Sequence, residues 1–410
     1  LGATQLREML FTQTKITGLF CFENRRGIFE GVDSRFKFVI LSFENGGTTE
    51  SFPARFMRHD VADLITFPAA DSLLIDVALV RKLSPDSLSI LEFKDEREIV
   101  TAKKFALQPR LNSATAHQWR LEFHREFHIT DDAELYHPTK SKGFVPLVEG
   151  KVIHQFRYPY SEPRYWLNPS ECRAELIGQR LSQIENLPNP SSKKIKPDTV
   201  RIDADTYRVA FRDIARNTDE RTIIATLLPP NVFSPDTLRV GTVYEARPDP
   251  KSDVIPNAEI ISLQQRLVVV SLLNSFVLDY QARQKVTAHV SIFIVDNLFA
   301  PPIPDKSFSF RAIVERAARL IGITADYDDL LAEIFGPKAT HQTHGASTDG
   351  VRLRLRAELD ALVAQLYGLT EEEFTHILST FPLVAESIKQ TTLNTYRDLN
   401  RHGKLPSLRP

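Results

Sequence analysis

Arginine side chains are concentrated in one short stretch in the middle of the chain, FRDIARNTDERT, at residues 211–222. A guanidinium group presents a planar fork of donors that matches phosphate oxygens and the edge of a guanine base. Amide and hydroxyl side chains in the adjoining polar turn add further donors and acceptors. The predicted DNA contacts in this region are Arg208, Arg212, Arg216, Asn217, Thr218 and Arg221.

The spacing of these arginines permits two interpretations. Arg208, Arg212 and Arg216 recur every four residues, which places them on one face of either a strand or a helix. A row of fixed positive charges would suit a DNA backbone. The same side chains could instead pair with acidic neighbours in the segment, such as Asp213 and Asp219. The residue types alone leave both alternatives open.

Two other segments combine basic residues with a suitable setting. In VPLVEGKVIHQFRY, Lys151 and His154 lie among aromatic residues, a mixture that suits nucleic acids but also occurs on half-buried strands. After a long apolar run come Arg283, Lys285 and His289. Basic residues there could contact DNA, or they could simply complement the dipole at a helix C-terminus.

The bulk composition limits the classes of function. The 410 residues contain 51 Lys and Arg against 52 Asp and Glu, so a nucleic-acid site has to be a local patch. Two distant cysteines and no secretory signal favour a reducing, cytoplasmic location. No apolar run is long enough to predict a membrane span. No motif predicts a catalytic residue or a metal ligand.

The elements that must position these residues form three parts. Residues 1–105 alternate helix and strand, and FKFVILSF at 36–43 has the apolar pattern of a strand buried on both faces, as in an α/β sheet. With only two or three strands, such a sheet could not cover itself. Residues 106–303 contain short strands punctuated by Pro and Asn, and residues 304–410 are helical.

Individual elements can be predicted from the same patterns. KVIHQF, YRVAFRDIA and RTIIATLLP are predicted to be strands, and QRLVVVSLLNSFVLDYQARQK to be one long helix. Thr370 is predicted to cap a helix with Glu373 in the capping-box position. The chain begins without Met in a helical pattern, and we expect it to be a piece of a longer protein.

Five ordered stretches resemble the C-terminal half of large adenine-specific DNA methyltransferases of the Type IIG restriction-modification group. YRVAFRDIARNTDERTIIATLLPP is similar to this family's FRDIARNTDERT block nearly residue for residue. The other four are CFENRRGIFEGVDSRFKFVILSF, VPLVEGKVIHQF, LLNSFVLDYQARQKV and LRAELDALVAQLYGLTEEEFTHIL. The resemblance spans almost the whole chain.

The resemblance implies an α/β fold: a partial Rossmann-like methyltransferase sheet (1–105), then a mixed α+β target-recognition domain (106–303) and a helical tail (304–410). The family's cofactor motif and its catalytic Asn-Pro-Pro-aromatic tetrapeptide are both missing from this sequence. We therefore expect no cofactor in this fragment and S-adenosyl-L-methionine in the full-length enzyme. The expected partners are double-stranded DNA and upstream methyltransferase domains, with a nuclease or helicase as a further upstream option.

A function of another class also accounts for the residues. The chain could be a non-catalytic protein-interaction module of a phage-defence assembly, in which the amphipathic helices at 351–385 bind a partner protein. Salt dependence distinguishes the two, because phosphate contacts release counterions from DNA whereas a module that binds only protein has no DNA affinity to lose.

Overall fold

The computed structural model divides the chain into two compact units, Leu1–Leu107 and Gln108–Pro410. The described residues are 3–114, 120–187, 195–249, 253–286 and 288–406. The first unit ends close to the boundary expected at 105. The second unit has no division at 303, because the helices of the tail pack onto helices and strands that precede it.

The chain is a mixed α and β structure. Its strands are β1 (Thr14–Glu23), β2 (Lys37–Asn45), β3 (Ser51–Arg58), β4 (Leu73–Asp76), β5 (Phe123–His124), β6 (Val145–Pro146), β7 (Trp166–Leu167), β8 (Arg208–Arg212), β9 (Ala225–Leu228), β10 (Leu238–Gly241), β11 (Tyr244–Asp249) and β12 (Asp253–Glu259). Its helices are α1 (Thr4–Gln13), α2 (Val77–Leu83), α3 (Glu96–Phe105), α4 (Pro169–Glu185), α5 (Leu263–Leu273), α6 (Phe276–Arg283), α7 (Ile292–Asp296), α8 (Phe308–Ile321), α9 (Asp328–Phe335), α10 (His341–His344), α11 (Asp349–Leu366), α12 (Glu371–Ser379) and α13 (Glu386–His402). Within the described part of the chain, no helix is both long enough and apolar enough to cross a membrane.

The first unit is built on a four-stranded sheet with the order β2-β1-β3-β4. Strand β1 runs antiparallel to β2 and parallel to β3. The apolar strand β2 was expected to be buried on both faces, but it lies at the edge of the sheet. Phe36, just before it, is 64% exposed and Val39 is 59% exposed, because β2 has a neighbouring strand on one side only among the described residues of this unit.

The second unit holds an antiparallel sheet with the order β5-β10-β8-β9. Strands β8 and β9 form a hairpin in which Arg208 pairs with Leu228 and Phe211 pairs with Ala225. Helix α5 packs against both strands, and its residues Leu267 and Val268 are fully buried. The connection between the two strands, residues 213–224, is called the hairpin loop below.

The apolar stretch expected to form one long helix is two helices, α5 and α6, which meet at Asn274 and Ser275. The Asn274 side chain exchanges hydrogen bonds of 2.8 and 3.0 Å with the backbone of Ala225, at the start of β9. The Ser275 hydroxyl accepts from the Leu278 amide and caps α6. Side-chain bonds to the backbone compete here with a continuous helix.

KVIHQF, expected to be a strand, is a short 3₁₀ turn followed by an irregular segment. Residues 150–160, called the strap below, fold back so that the Tyr160 amide donates to the Val152 carbonyl. Phe156 has a left-handed backbone (φ 55°), which costs about 1 kcal/mol for a residue with a side chain. Its amide donates to the Ala225 carbonyl at 3.0 Å, which holds the strap against the hairpin.

The helical tail buries its apolar faces inside the second unit. Helix α11 packs against α8, α6 and α13, and its residues Leu355, Leu359 and Leu362 are buried. Thr370 and Glu373 form the predicted capping box at the start of α12. The amphipathic pattern at 351–385 is therefore accounted for by packing within the chain.

Candidate nucleic-acid interface

Three basic segments that are far apart in sequence meet at the hairpin loop. Arg212, at the end of β8, donates a hydrogen bond to the Ile153 carbonyl of the strap. From the other side, Arg283 donates to the Glu220 carbonyl at 2.8 Å. His289 Nδ1 lies 3.1 Å from Asp213 Oδ2. The three candidate patches of the sequence are thus one region of the second unit.

Arg208 does not reach the surface of this region. Its side chain is fully buried, and its Nη2 lies 2.8 Å from Oε1 of Glu126, which is equally buried. The same nitrogen donates to the Val232 carbonyl at 2.6 Å. The expectation that Arg208 contacts DNA is corrected: its guanidinium neutralises the buried carboxylate of Glu126, which lies outside the segment whose acidic residues the sequence offered as partners.

Arg221 is likewise placed inside the unit. Its Nε lies 2.6 Å from Oδ2 of Asp279, which is completely buried, and it donates to the Asn274 carbonyl. Its guanidinium carbon is 4.2 Å from the centre of the Phe276 ring. Only 8% of Arg221 is exposed, so its expected DNA contact is also replaced by an internal ion pair.

Arg283 and Lys285 follow the same pattern at the end of α6. The Arg283 guanidinium lies over the Phe381 ring at 4.2 Å while it bonds the hairpin loop. Lys285 Nζ donates to the Asn297 carbonyl at 3.2 Å, and burial lowers its pKa to about 8. Arg283 thus holds the backbone of the hairpin loop and Lys285 holds the backbone at Asn297, and neither presents its charged group openly to solvent.

The exposed candidates lie at the tip of the hairpin loop. Arg216, Asn217 and Thr218 are all exposed. The Arg216 amide donates to Asp219 Oδ2 at 2.9 Å, which closes a tight turn. Among the described residues, no hydrogen bond or ion pair involves the Arg216 guanidinium, so this turn holds the backbone while its side chains face solvent.

Lys151 and His289 add exposed charge and polarity on either side of this tip. The Lys151 side chain is 54% exposed, with Glu149 Oε2 3.7 Å from its Nζ. The His289 side chain is 63% exposed beside Asp213. Both groups have one carboxylate neighbour and keep much of their surface open.

The strap carries an aromatic and basic cluster of its own. The rings of His154 and Tyr160 have centres 4.6 Å apart, and the Arg157 guanidinium lies 5.6 Å from the Tyr160 ring. Burial, and then the nearby charges of Arg212 and Arg356, lower the pKa of His154 to about 4. His154 is therefore neutral near pH 7 and acts as a ring rather than as a cation. Tyr160 is 48% exposed.

Helix α11 contributes arginines that sequence reasoning missed. Arg352 donates to the Phe156 carbonyl of the strap at 3.2 Å and to the Leu320 carbonyl at 2.7 Å. Arg356, one turn further on, is half-buried, and burial lowers its pKa. The signal available in VRLRLRAEL was two arginines at a spacing of four, which share one helix face.

The region offers exposed hydrogen-bond donors and an aromatic ring above an internal layer of paired arginines. Such a surface can hold phosphate oxygens and stack against a base without performing a reaction itself. In the described residues, no group of three His, Cys, Asp or Glu side chains is placed to hold a metal ion.

Comparison with known proteins gives structural likenesses but no family assignment. No protein-family model and no curated protein matches the chain. Among solved structures, it is similar to the Type IIL restriction-modification enzyme MmeI in complex with DNA, at 14% identity and a TM-score of 0.36. The alignment covers 97% of this chain and 47% of that one, so the chain spans about half the length of that enzyme.

Proposed function

We propose that this chain is the DNA-recognition portion of an S-adenosylmethionine-dependent, adenine-specific DNA methyltransferase of a restriction-modification or phage-defence system. The observation that carries the proposal is the meeting of three basic segments at the hairpin loop. Arg212, Ile153 and Arg283 lie in the stretches that resemble the methyltransferase family, whereas His289 lies just beyond the last of them. Their meeting at the hairpin loop supports one common role for these stretches, contact with DNA.

In this proposal the residues of the region divide into two groups. The exposed side chains of Arg216, Asn217 and Thr218 contact the duplex, together with Lys151 and His289. Arg216 and Lys151 supply positive charge to phosphates, while Asn217 and Thr218 can bond either phosphates or base edges. A second group bonds the protein interior. Arg212, Arg221 and Arg283 hold the loop and strap, while Arg208 bonds Glu126 and Lys285 bonds the Asn297 carbonyl.

Rigidity matters to this function because sequence discrimination depends on donors fixed in space. A flexible loop can shift and bond the wrong base, whereas a rigid loop loses those hydrogen bonds and so discriminates against it. Arg221, within the loop, bonds the Asn274 carbonyl between α5 and α6, and Arg283 of α6 bonds the Glu220 carbonyl of the loop, which limits such adjustment. Tyr160 and His154 form a ring pair on the strap that can stack on a base or pack against the sugar.

Methyl transfer needs a cofactor site and a group that holds the flipped adenine. The family resemblance assigns both to motifs that this sequence does not contain. The proposed contribution of this chain is to select the site and to clamp the duplex for methyltransferase domains of the same protein. The alternative of a partner-binding tail has lost its main support, since α11 buries its apolar face within the unit.

Fluorescence anisotropy of a labelled duplex, titrated at a series of salt concentrations between about 50 and 200 mM, tests the proposal. Each phosphate contact should contribute about −0.9 to the slope of log affinity against log salt. A steep slope is expected from the exposed basic groups. If the protein is shown to be folded and does not bind the duplex at the lowest salt concentration, the proposed function is overturned.

A further inference from the structure

A small pocket lies between the hairpin loop, the strap and α11. Its volume is about 30 Å³, and it is lined by Gln155, Glu220, Arg221, Arg356 and Asp360, with apolar side chains of α11 and α13 completing the wall. A single water needs about 10–15 Å³, so the pocket has room for about two waters or for part of a tetrahedral anion. Its residues come from separate segments of the second unit, and none of the sequence patterns pointed to it.

Arg356 is the unusual member of this pocket. Its Nε is buried without a hydrogen-bond partner, and within the described residues its guanidinium forms no hydrogen bond or ion pair. A buried, unsatisfied charged donor is costly, and a partner absent from the protein alone is one reason for its retention. The neighbouring arginines are satisfied: Arg352 bonds backbone carbonyls and Arg221 pairs with Asp279.

The charges around the pocket are mixed, and Arg356 is the cation among them whose guanidinium has no hydrogen-bond or ion-pair partner in the described residues. Asp360 lies in the wall, but its Oδ1 already accepts from the Phe276 amide at 2.8 Å. Burial raises the pKa of Asp360 to about 6, so this carboxyl is still mostly ionised near pH 7 and is a negative neighbour that an anion at Arg356 has to tolerate. Glu220 is exposed at the mouth and repels anions there. On the positive side stand Arg221 and Arg356.

We propose that this pocket binds a phosphate group through Arg356, with Arg221 and Gln155 beside it. The occupant, resting on the proposed function, is a backbone phosphate of DNA that lies across the tip of the hairpin loop. Glu220 lies at the mouth of the pocket and comes directly after the exposed turn that Arg216 and Asp219 close. The mouth therefore adjoins the proposed DNA-facing surface. The phosphate oxygens that enter the pocket would contact Arg356, and the remaining oxygens would stay in solvent.

The first arm of the test uses inorganic phosphate alone. Saturable thermal stabilisation by phosphate, measured against chloride at equal ionic strength, reports binding to the folded chain. It should be lost in Arg356→Gln and retained in Arg354→Gln, which removes an exposed charge two residues away on the same helix. Glu220→Gln should strengthen it, which provides a readout that does not depend on the folding of the arginine variant.

The second arm repeats the anisotropy titration with duplex DNA. Arg356→Gln should weaken DNA binding about ten-fold and flatten the salt slope by about 0.9, as for one phosphate lost. Arg354→Gln should change both much less. Arg356→Lys should restore the slope but only part of the affinity, because an ammonium keeps the charge without the planar fork.

The outcomes separate the two proposals. Phosphate binding and DNA binding that both depend on Arg356 support the pocket and its occupant. DNA binding that is unchanged in Arg356→Gln, with no saturable phosphate effect in the wild type, overturns the pocket and leaves the proposed function standing. Phosphate binding through Arg356 with no DNA binding supports the pocket as a site for a free anion and overturns the DNA assignment.

Discussion

Arg221 and Asp279 form a buried ion pair, with Nε of the arginine 2.6 Å from Oδ2 of the aspartate. Asp279 also accepts from the Thr222 amide at 3.0 Å, so one carboxylate ties the hairpin loop to α6. Arg221 lies in the stretch that resembles the methyltransferase family nearly residue for residue. Its side chain is nevertheless part of the interior of the second unit.

Arg221→Ala should destabilise the fold by about 3–5 kcal/mol, because it removes the nearest cation from the buried Asp279 carboxylate and leaves only Arg283 Nε at 3.7 Å. Denaturant unfolding measures this loss. Replacing both partners with apolar residues, as in Arg221→Met with Asp279→Leu, should cost less than the single change. An Arg221→Ala protein that unfolds like the wild type and loses only DNA affinity would contradict the structural role.

Arg216→Ala should leave stability within about 0.5 kcal/mol of the wild type, since the side chain is exposed and its guanidinium bonds none of the residues that the structure describes. If Arg216 contacts phosphate, DNA binding should weaken for all sequences and the salt slope should flatten by about one unit. If it reads guanine, the loss should be about 1–3 kcal/mol and should relax specificity at one position. Arg401→Ala, which removes an exposed arginine near the end of α13, is the control. Unaltered affinity and slope in folded Arg216→Ala would remove the loop tip from the DNA-facing surface.

His154 should contribute to the pH dependence of stability. Its pKa is about 4 in the folded chain, against 6.5 as its usual value, so the unfolded state binds more protons between these pH values. Stability from this group should therefore rise as pH increases from about 4 to 6.5 and then stay level, by about 2–3 kcal/mol in all. Unfolding curves of wild type and His154→Gln across that window give the difference. A variant that loses stability in parallel with the wild type on acidification would show that another group is responsible.

Strand β2 should exchange its amide hydrogens faster than the hairpin of β8 and β9. It lies at a sheet edge with exposed apolar side chains, whereas β8 and β9 are almost wholly buried. Opening free energies are lowest where few apolar contacts hold a segment. Hydrogen exchange followed by mass spectrometry compares the two peptides directly. Equal protection would indicate that another surface covers β2.

The isolated chain should neither bind S-adenosylmethionine nor methylate DNA, because the resemblance assigns the cofactor and adenine contacts to motifs that are missing here. Isothermal titration calorimetry with the cofactor should give only heats of dilution. The duplex used for anisotropy serves as the positive control for a functional protein preparation. Stoichiometric cofactor binding would overturn the assignment of this chain to the recognition portion.

Local features followed from the sequence because their physical causes lie within a few residues. The capping box of Thr370 and Glu373 needs only a hydroxyl and a carboxylate three positions apart. The apolar patterns around Phe211 and Leu227 likewise predicted the strands β8 and β9. In the same way, the clustering of basic residues indicated the segments that meet at the hairpin loop.

Which arginines are buried was decided only by the tertiary structure. Arg208 meets Glu126, 82 residues away, and Arg221 meets Asp279, 58 residues away. The sequence offered nearby aspartates as partners, but a buried charge is neutralised by whichever carboxylate the packing places beside it. The apolar run of β2 predicted a buried strand because its side chains are hydrophobic. Its actual exposure depends on its position at the edge of the sheet, which the run of residues does not contain. The pocket at Arg356 likewise exists only because α11, the strap and the hairpin loop pack together.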